Sequence, residues 1–199
     1  MKKKILILSI FAASILSINL QSCKKTEQQS TENGGTPTHD NLPGVTEEVS
    51  QYVLLGSGWS NTALTFSYIN RTNDLTLAEQ KRAIRDAFDA WSQVSSLRFT
   101  EIATGGDIQI SFETYNHGDG ENFDGPSSTI NSPNILAHAF PPTDGRCHFD
   151  DSEIWTIDSR STIAQPIDLV TTATHEIGHL LGIGHSAENS AVMFAAYSG

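Results

Sequence analysis

Residues 64–69, Leu-Thr-Phe-Ser-Tyr-Ile, alternate apolar and polar positions and are rich in β-formers, which predicts a strand. A shorter apolar stretch, Tyr52-Val53-Leu54-Leu55-Gly56, precedes it and leads to Trp59. Thr76-Leu77-Ala78-Glu79 has the spacing of a capping box, in which the hydroxyl accepts the amide three residues on and the glutamate reaches back. The helix opened there runs to about Val94, with Ile84, Phe88 and Trp91 marking its buried face at helical spacing. Residues 97–102 and 107–112 read as strands separated by the Gly105-Gly106 turn. From Tyr115 the chain becomes a long stretch of Gly, Asp, Asn, Ser and Pro. Residues 134–140 and 148–157 then read as two more strands. Pro166 and Asp168 open a second helix, where proline and an acidic residue are both favoured, and it ends near Gly182. This order predicts an α/β (α+β) fold, a twisted mixed sheet with two main helices packed on it. The helical crossover between the first two strands permits parallel pairing, and the strand order stays open.

The second helix carries the chemistry. In Thr174-His175-Glu176-Ile177-Gly178-His179, the two histidines are four apart and share one helix face, so both imidazoles can bind one Zn²⁺. Glu176 projects to the side, where it can reach a metal-bound water without ligating. A catalytic zinc takes three protein ligands and keeps one open position. His185 supplies the third if the helix stops and turns back, and Gly182 can adopt the left-handed conformation that such a stop requires. A bare H-E-x-x-H could be two surface histidines. The full H-E-x-x-H-x-x-G-x-x-H with Met193 eight residues after His185 is the far more specific pattern of metzincin proteases.

A second constellation lies in the polar stretch and the strands after it. His117, Asp119, His138 and His148 are four ligands of suitable type for a tetrahedral zinc with no open position, which is the structural kind. Asp124, Asp150 and Glu153 are hard oxygen donors that suit Ca²⁺ when backbone carbonyls complete the shell. A polar loop with scattered histidines is the plainer reading, but it leaves a long loop with nothing to order it.

Composition changes the picture at the edges of the chain. The net charge of −11 argues against nucleic acid as a partner and fits calcium binding or solubility. Lys2, Lys3 and Lys4 followed by an apolar run over residues 5–18 read as an export signal. Leu20-Gln21-Ser22-Cys23 resembles the lipobox of bacterial lipoproteins, whose cysteine carries lipid; an ordinary signal peptide is the alternative. The expected division is a signal over 1–22, a flexible tether or short pro-segment over 23–50, and a catalytic domain over 51–199. The tether is polar, rich in Thr, Ser, Gln, Asn, Gly and Pro. With two cysteines in all, a lipidated Cys23 leaves Cys147 no disulfide partner. The localisation implied is a bacterial outer membrane or cell surface, facing outward, with the membrane as partner through Cys23.

From about Tyr52 onward the chain resembles the catalytic domain of the matrixins, the matrix metalloproteinase family, and the bacterial karilysin-like members resemble it most. The resemblance rests on His175 to Gly182 with His185-Ser186, Met193, Leu136-Ala137-His138-Ala139-Phe140 and His148-Phe149-Asp150-Asp151. It implies a metzincin (zincin-like) fold and a monomeric zinc-dependent endopeptidase acting on protein or peptide. It implies catalytic zinc on His175, His179 and His185, with Glu176 as general base toward a zinc-bound water. It implies structural zinc on His117, Asp119, His138 and His148. Calcium falls to Asp124, Asp150 and Glu153 with the Gly125 backbone, and Met193 forms the Met-turn. Ala137, Thr171, Thr172 and Tyr197 would contact substrate, the two threonines lining the pocket for the side chain after the scissile bond. Three departures stand out. The stretch between Pro126 and Leu136 is long, the stretch from Phe140 to His148 is short, and Ala195 replaces the usual proline. The chain also stops at Gly199, with the family's C-terminal helix missing, so Leu180, Leu181 and Val192 are expected to stay partly exposed. The competing reading is a zinc-binding surface lipoprotein of little activity, an adhesin or inhibitor decoy.

Overall fold

Among the described residues a five-stranded mixed sheet carries two helices, and the candidate ligand histidines sit on its last two strands, on the second helix and in the loops beside them. The structure, a computed structural model, describes residues 53–126, 135–158 and 165–195. β1 (Ala63–Tyr68) is followed by α1 (Leu77–Val94), β2 (Arg98–Glu101), β3 (Ile108–Glu113), β4 (Ala137–Ala139) and β5 (Arg146–Asp150). The short pair β6 (Trp155–Thr156) and β7 (Ile167–Asp168) precedes α2 (Leu169–Leu180). The sheet order is β2-β1-β3-β5-β4. α1 provides the crossover that lets β1 and β2 pair in parallel, as the sequence permits. β1, β3 and β5 continue in parallel, and only β4 runs antiparallel, at the edge.

The capping box forms as expected. Thr76 Oγ1 accepts the Glu79 amide at 3.3 Å, and Glu79 accepts the Thr76 amide at 3.0 Å. One face of α1, with Ala83, Ile84, Ala87 and Phe88, is buried in a common core with Leu169, Ala173, Ile177 and Leu180 of α2. From the sheet, Ile108, Ile110 and Phe112 of β3 and Cys147 and Phe149 of β5 complete that core. Strand alternation then turns His148 to the opposite face of β5 from Cys147 and Phe149. This is why a ligand and a core residue can be neighbours in sequence.

Two expectations change. Residues 148–157 do not form one strand. β5 begins at Arg146 and ends at Asp150, whose carboxylate accepts the Ser152 amide at 2.9 Å and the Ser152 hydroxyl, a side-chain turn that stops the ladder before β6. Nor does Leu180 stay exposed: it is fully buried, and its carbonyl accepts the Trp59 indole N–H at 2.7 Å. The segment before β1 folds over the end of α2. The Leu55 amide donates to the Gly182 carbonyl and the Gly184 amide to the Val53 carbonyl, both at 2.6 Å. Leu181 and Val192 are half-buried against the core. The export signal, the tether, Cys23, Asn134 and Tyr197 lie outside the described residues. No helix among the described residues is long and apolar enough to cross a membrane.

Candidate active site and metal centres

Asp168 caps α2 by accepting the Thr171 amide at 3.0 Å, and the helix presents His175 and His179 one turn apart. Their rings stand 4.7 Å apart and nearly perpendicular, at 88°. The helix closes where the Ile183 amide reaches back to the Gly178 carbonyl at 2.9 Å and Gly182 takes φ of 89°. That left-handed residue reverses the chain. His185 thereby returns to the helix, its Nε2 3.2 Å from His179 Nε2. Two main-chain carbonyls orient the rings: His175 Nδ1 bonds Val192 O and His179 Nδ1 bonds Ile183 O, both at 2.8 Å. With Nδ1 donating, each Nε2 lone pair is left to face inward.

The residues fit a zinc ion. One donor nitrogen from each of the three histidines lies within 4.8 Å of the others. Ligands about 2.0–2.1 Å from a tetrahedral centre stand about 3.3 Å from one another, close to the His179–His185 separation. His175 Nε2 is buried and has no hydrogen-bond partner. Such an orphan is costly unless something accepts its lone pair. Burial pushes the His175 pKa down to about 4, against the pull of the Val192 carbonyl. The ring is thus held neutral, the form that ligates.

Below the helix, Met193 is 5 % exposed and packs against the main chain of α2. A Cβ on Gly178 would stand 2.2 Å from Met193 Sδ and 2.9 Å from Trp91 Cζ2. The glycine in the motif is there for this approach. The Ser186 amide donates to the Met193 carbonyl at 2.7 Å, tying the turn to the residue after His185. Above the histidines lies a cleft. Residues 137–139 of edge strand β4, with Ile135 and Phe140, form one wall, Glu176, His179 and His185 contribute to the lining, and Glu121 and Asn122 join from the loop. Glu176 is fully buried. Ala137 is among the residues that line the cleft. Thr171 and Thr172 lie in the first turn of α2, where their hydroxyls bond Asp168, Thr171 to its carboxylate at 2.5 Å and Thr172 to its carbonyl at 3.1 Å.

The second group also converges. Asp119 Oδ2 lies 2.9 Å from His117 Nε2, 2.8 Å from His138 Nε2 and 2.8 Å from His148 Nδ1. The nitrogens of His117 and His148 lie 3.4 and 3.2 Å from that of His138. Four N and O donors at these spacings match the edges of a zinc tetrahedron with no position left over. His117 Nδ1 is fixed by the Tyr115 carbonyl at 2.9 Å. Although burial opposes it, the Glu121 amide and His138 hold the Asp119 carboxyl well below the usual carboxylate range. Burial pushes His138 down to about 4 and lowers His148.

The proposed calcium donors are less closely gathered. Asp150 is fully buried, and its Oδ2 has no hydrogen-bond partner, a fit for a hard cation. Burial raises its pKa; Ser152 pulls it back, and the charge of Asp124 adds to the rise. Asp124 Oδ1 accepts the Ile135 amide at 3.1 Å. Glu153, buried at 2 % exposure, accepts the side-chain amide of Gln165. Among the described residues, only the two histidine groups bring three or more such donors within 4.8 Å of one another. Cys147 is buried in the core, and burial, with the Glu176 charge adding, raises its pKa well above that of a free thiol. It stays a thiol and packs as a small apolar side chain.

Sequence reasoning missed Glu121 and Asn122 as cleft residues, and Trp59 and residues 53–55 as cover for α2. Glu121 could have been found from Asp119: a ligand whose second oxygen holds the amide two residues on, at 2.9 Å, carries that residue to a fixed place. For Trp59 no local signal exists.

Three converging histidines, two on a helix and one just after the turn that ends it, beside a cleft, have the arrangement of a metzincin metal site. The matrixin family model matches residues 58–199. The chain is 44 % identical over 158 residues to karilysin of Tannerella forsythia, covering 75 % of this chain and 31 % of karilysin. It is 42 % identical over 176 residues to the hatching enzyme of Paracentrotus lividus, covering 87 % of this chain and 27 % of that protein. It is 43 % identical over 144 residues to human neutrophil collagenase, covering 70 % and 28 %. The chain belongs to the matrixin family. The matches span less than a third of each of these relatives' length. Matrixins use catalytic and structural zinc together with calcium, in keeping with the two histidine groups.

Proposed function

We propose that this chain is a zinc-dependent endopeptidase. The observation that carries the reading is the inward-facing, partnerless Nε2 of His175 beside His179 and His185, under a cleft that Glu176 helps to line. Zinc bound there would polarise the scissile carbonyl and acidify a water molecule. Glu176 is the general base: its carboxylate takes the proton of the attacking water and hands it to the leaving amine. Among the described residues β4 has one ladder partner, β5, so its other edge can receive an extended peptide by strand addition. Thr171, Thr172 and Tyr197 are proposed to shape the site for the residue after the scissile bond. The second zinc, on His117, Asp119, His138 and His148, orders the loop that forms the facing wall. Asp124, Asp150, Glu153 and the Gly125 backbone are the proposed calcium donors. Cleavage of a quenched peptide that a zinc chelator abolishes tests the activity; zinc binding with no cleavage would favour the adhesin or decoy reading.

The same proposal places the protein outside the cytoplasm as a monomeric lipoprotein anchored at Cys23. One acyl chain gives only marginal anchoring, so a multiply acylated cysteine is required. Cys23→Ser should move the protein from the membrane to the soluble fraction; unchanged fractionation would contradict lipidation.

A further inference from the structure

Glu121 stands in the wall of the cleft, and its side chain is not among the donors of either histidine group. Its position is nonetheless fixed from the second group. The Glu121 amide donates to Asp119 Oδ1 at 2.9 Å, while Oδ2 of the same carboxylate faces His117, His138 and His148. The loop closes one step further on, where the Phe123 amide bonds the Tyr115 carbonyl at 3.0 Å. Phe123, 3 % exposed, stacks on His117 with ring centres 4.9 Å apart. Thus a solvent-exposed acidic side chain is mounted on a short loop pinned at both ends, beside the residues that would receive substrate.

No lysine or arginine lines this cleft among the described residues. The chain as a whole carries a net charge of −11, so the field around the cleft favours cationic partners. We propose that Glu121 is a specificity-determining residue, selecting a lysine or arginine side chain in the substrate residue that lies against its wall of the cleft. The inference rests on the endopeptidase reading. The expected strength is that of an exposed ion pair, roughly a two- to fivefold preference, weakened by salt.

The test is a set of quenched peptides in which each position on either side of the scissile bond is in turn Lys, Gln or Glu. kcat/KM is measured for wild type, Glu121→Gln and Glu121→Lys, and the same peptides are bound to Glu176→Ala protein by fluorescence anisotropy. Because the Glu121 main chain makes the anchoring bond, both variants should keep their zinc content and Tm. At one position wild type should rank Lys above Gln above Glu. Glu121→Gln should flatten that ranking, Glu121→Lys should invert it, and raised salt should shrink it. Equal cleavage of the three peptides at every position, or a lysine preference that survives both substitutions, would overturn the proposal. Peptides that bind with charge preference but are never cleaved by wild type would support the role of Glu121 and contradict the endopeptidase reading instead.

Discussion

The carbonyls of Val192 and Ile183 take up Nδ1 of His175 and His179 and leave each Nε2 able to bind a metal. Glu176 sits between them and ligates nothing in this account, so its loss should separate chemistry from binding. Glu176→Ala should keep the fold and the zinc and lose at least ~10²-fold in turnover, the usual worth of a positioned general base. Turnover retained with zinc bound would assign the proton transfer elsewhere. The same residues set a pH dependence. The folded pKa of His175 is depressed to about 4 from 6.5, so below about pH 6.5 the unfolded chain binds a proton that the folded one refuses. Stability is therefore full above that value and falls as pH drops toward 4, by up to about 1.4 kcal/mol per pH unit for each such histidine. A bound zinc competes with the same proton and adds to the trend. Zinc release and Tm measured together from pH 7 to 4 should fall in step; a flat profile would contradict the burial of a neutral His175.

The elements divide into those whose cause is local and those whose cause is not. Thr76 and Glu79 are three apart and bond each other, so the start of α1 was legible, and so was its end at Val94. α2 was legible for the same reason, its two histidines being four residues apart. β5 was misjudged because its end depends on the Asp150 carboxylate turning onto Ser152, and an alternating apolar pattern does not report such a turn. The covering of Leu180 by Trp59 joins residues 121 apart and leaves no trace in either neighbourhood. The loop from Tyr115 to Phe123 is the clearest element-scale case: it holds together because Asp119 draws three histidines from separate elements. His138→Ala should leave that group with three ligands. Since metal binding in such sites is part of the folding free energy, we expect a lower Tm, less zinc and faster proteolysis within residues 115–147. A variant that melts like wild type with unchanged zinc would remove His138 from the group.

Across the whole molecule, one sheet separates the two histidine groups and serves both. Cys147 and Phe149 of β5 face the core beneath α2, while His148 between them reaches the second group on the other side. Edge strand β4 lines the cleft and also carries His138. The cleft is thus built on a wall that shares a strand with the second histidine group, and Val53 and Leu55, ahead of β1, close the chain around Gly182 and Gly184 just before His185. On the proposed reading, His175, His179 and His185 hold the zinc with which peptides are hydrolysed in this cleft. Its most direct measurement is the rate of quenched-peptide cleavage by purified protein stripped with a chelator and then titrated with Zn²⁺. The account predicts no cleavage when stripped, recovery in proportion to zinc restored, and no recovery in the Glu176→Ala protein at the same zinc content. Cleavage that persists in the stripped protein, or zinc-loaded wild type that cleaves no peptide, would contradict it.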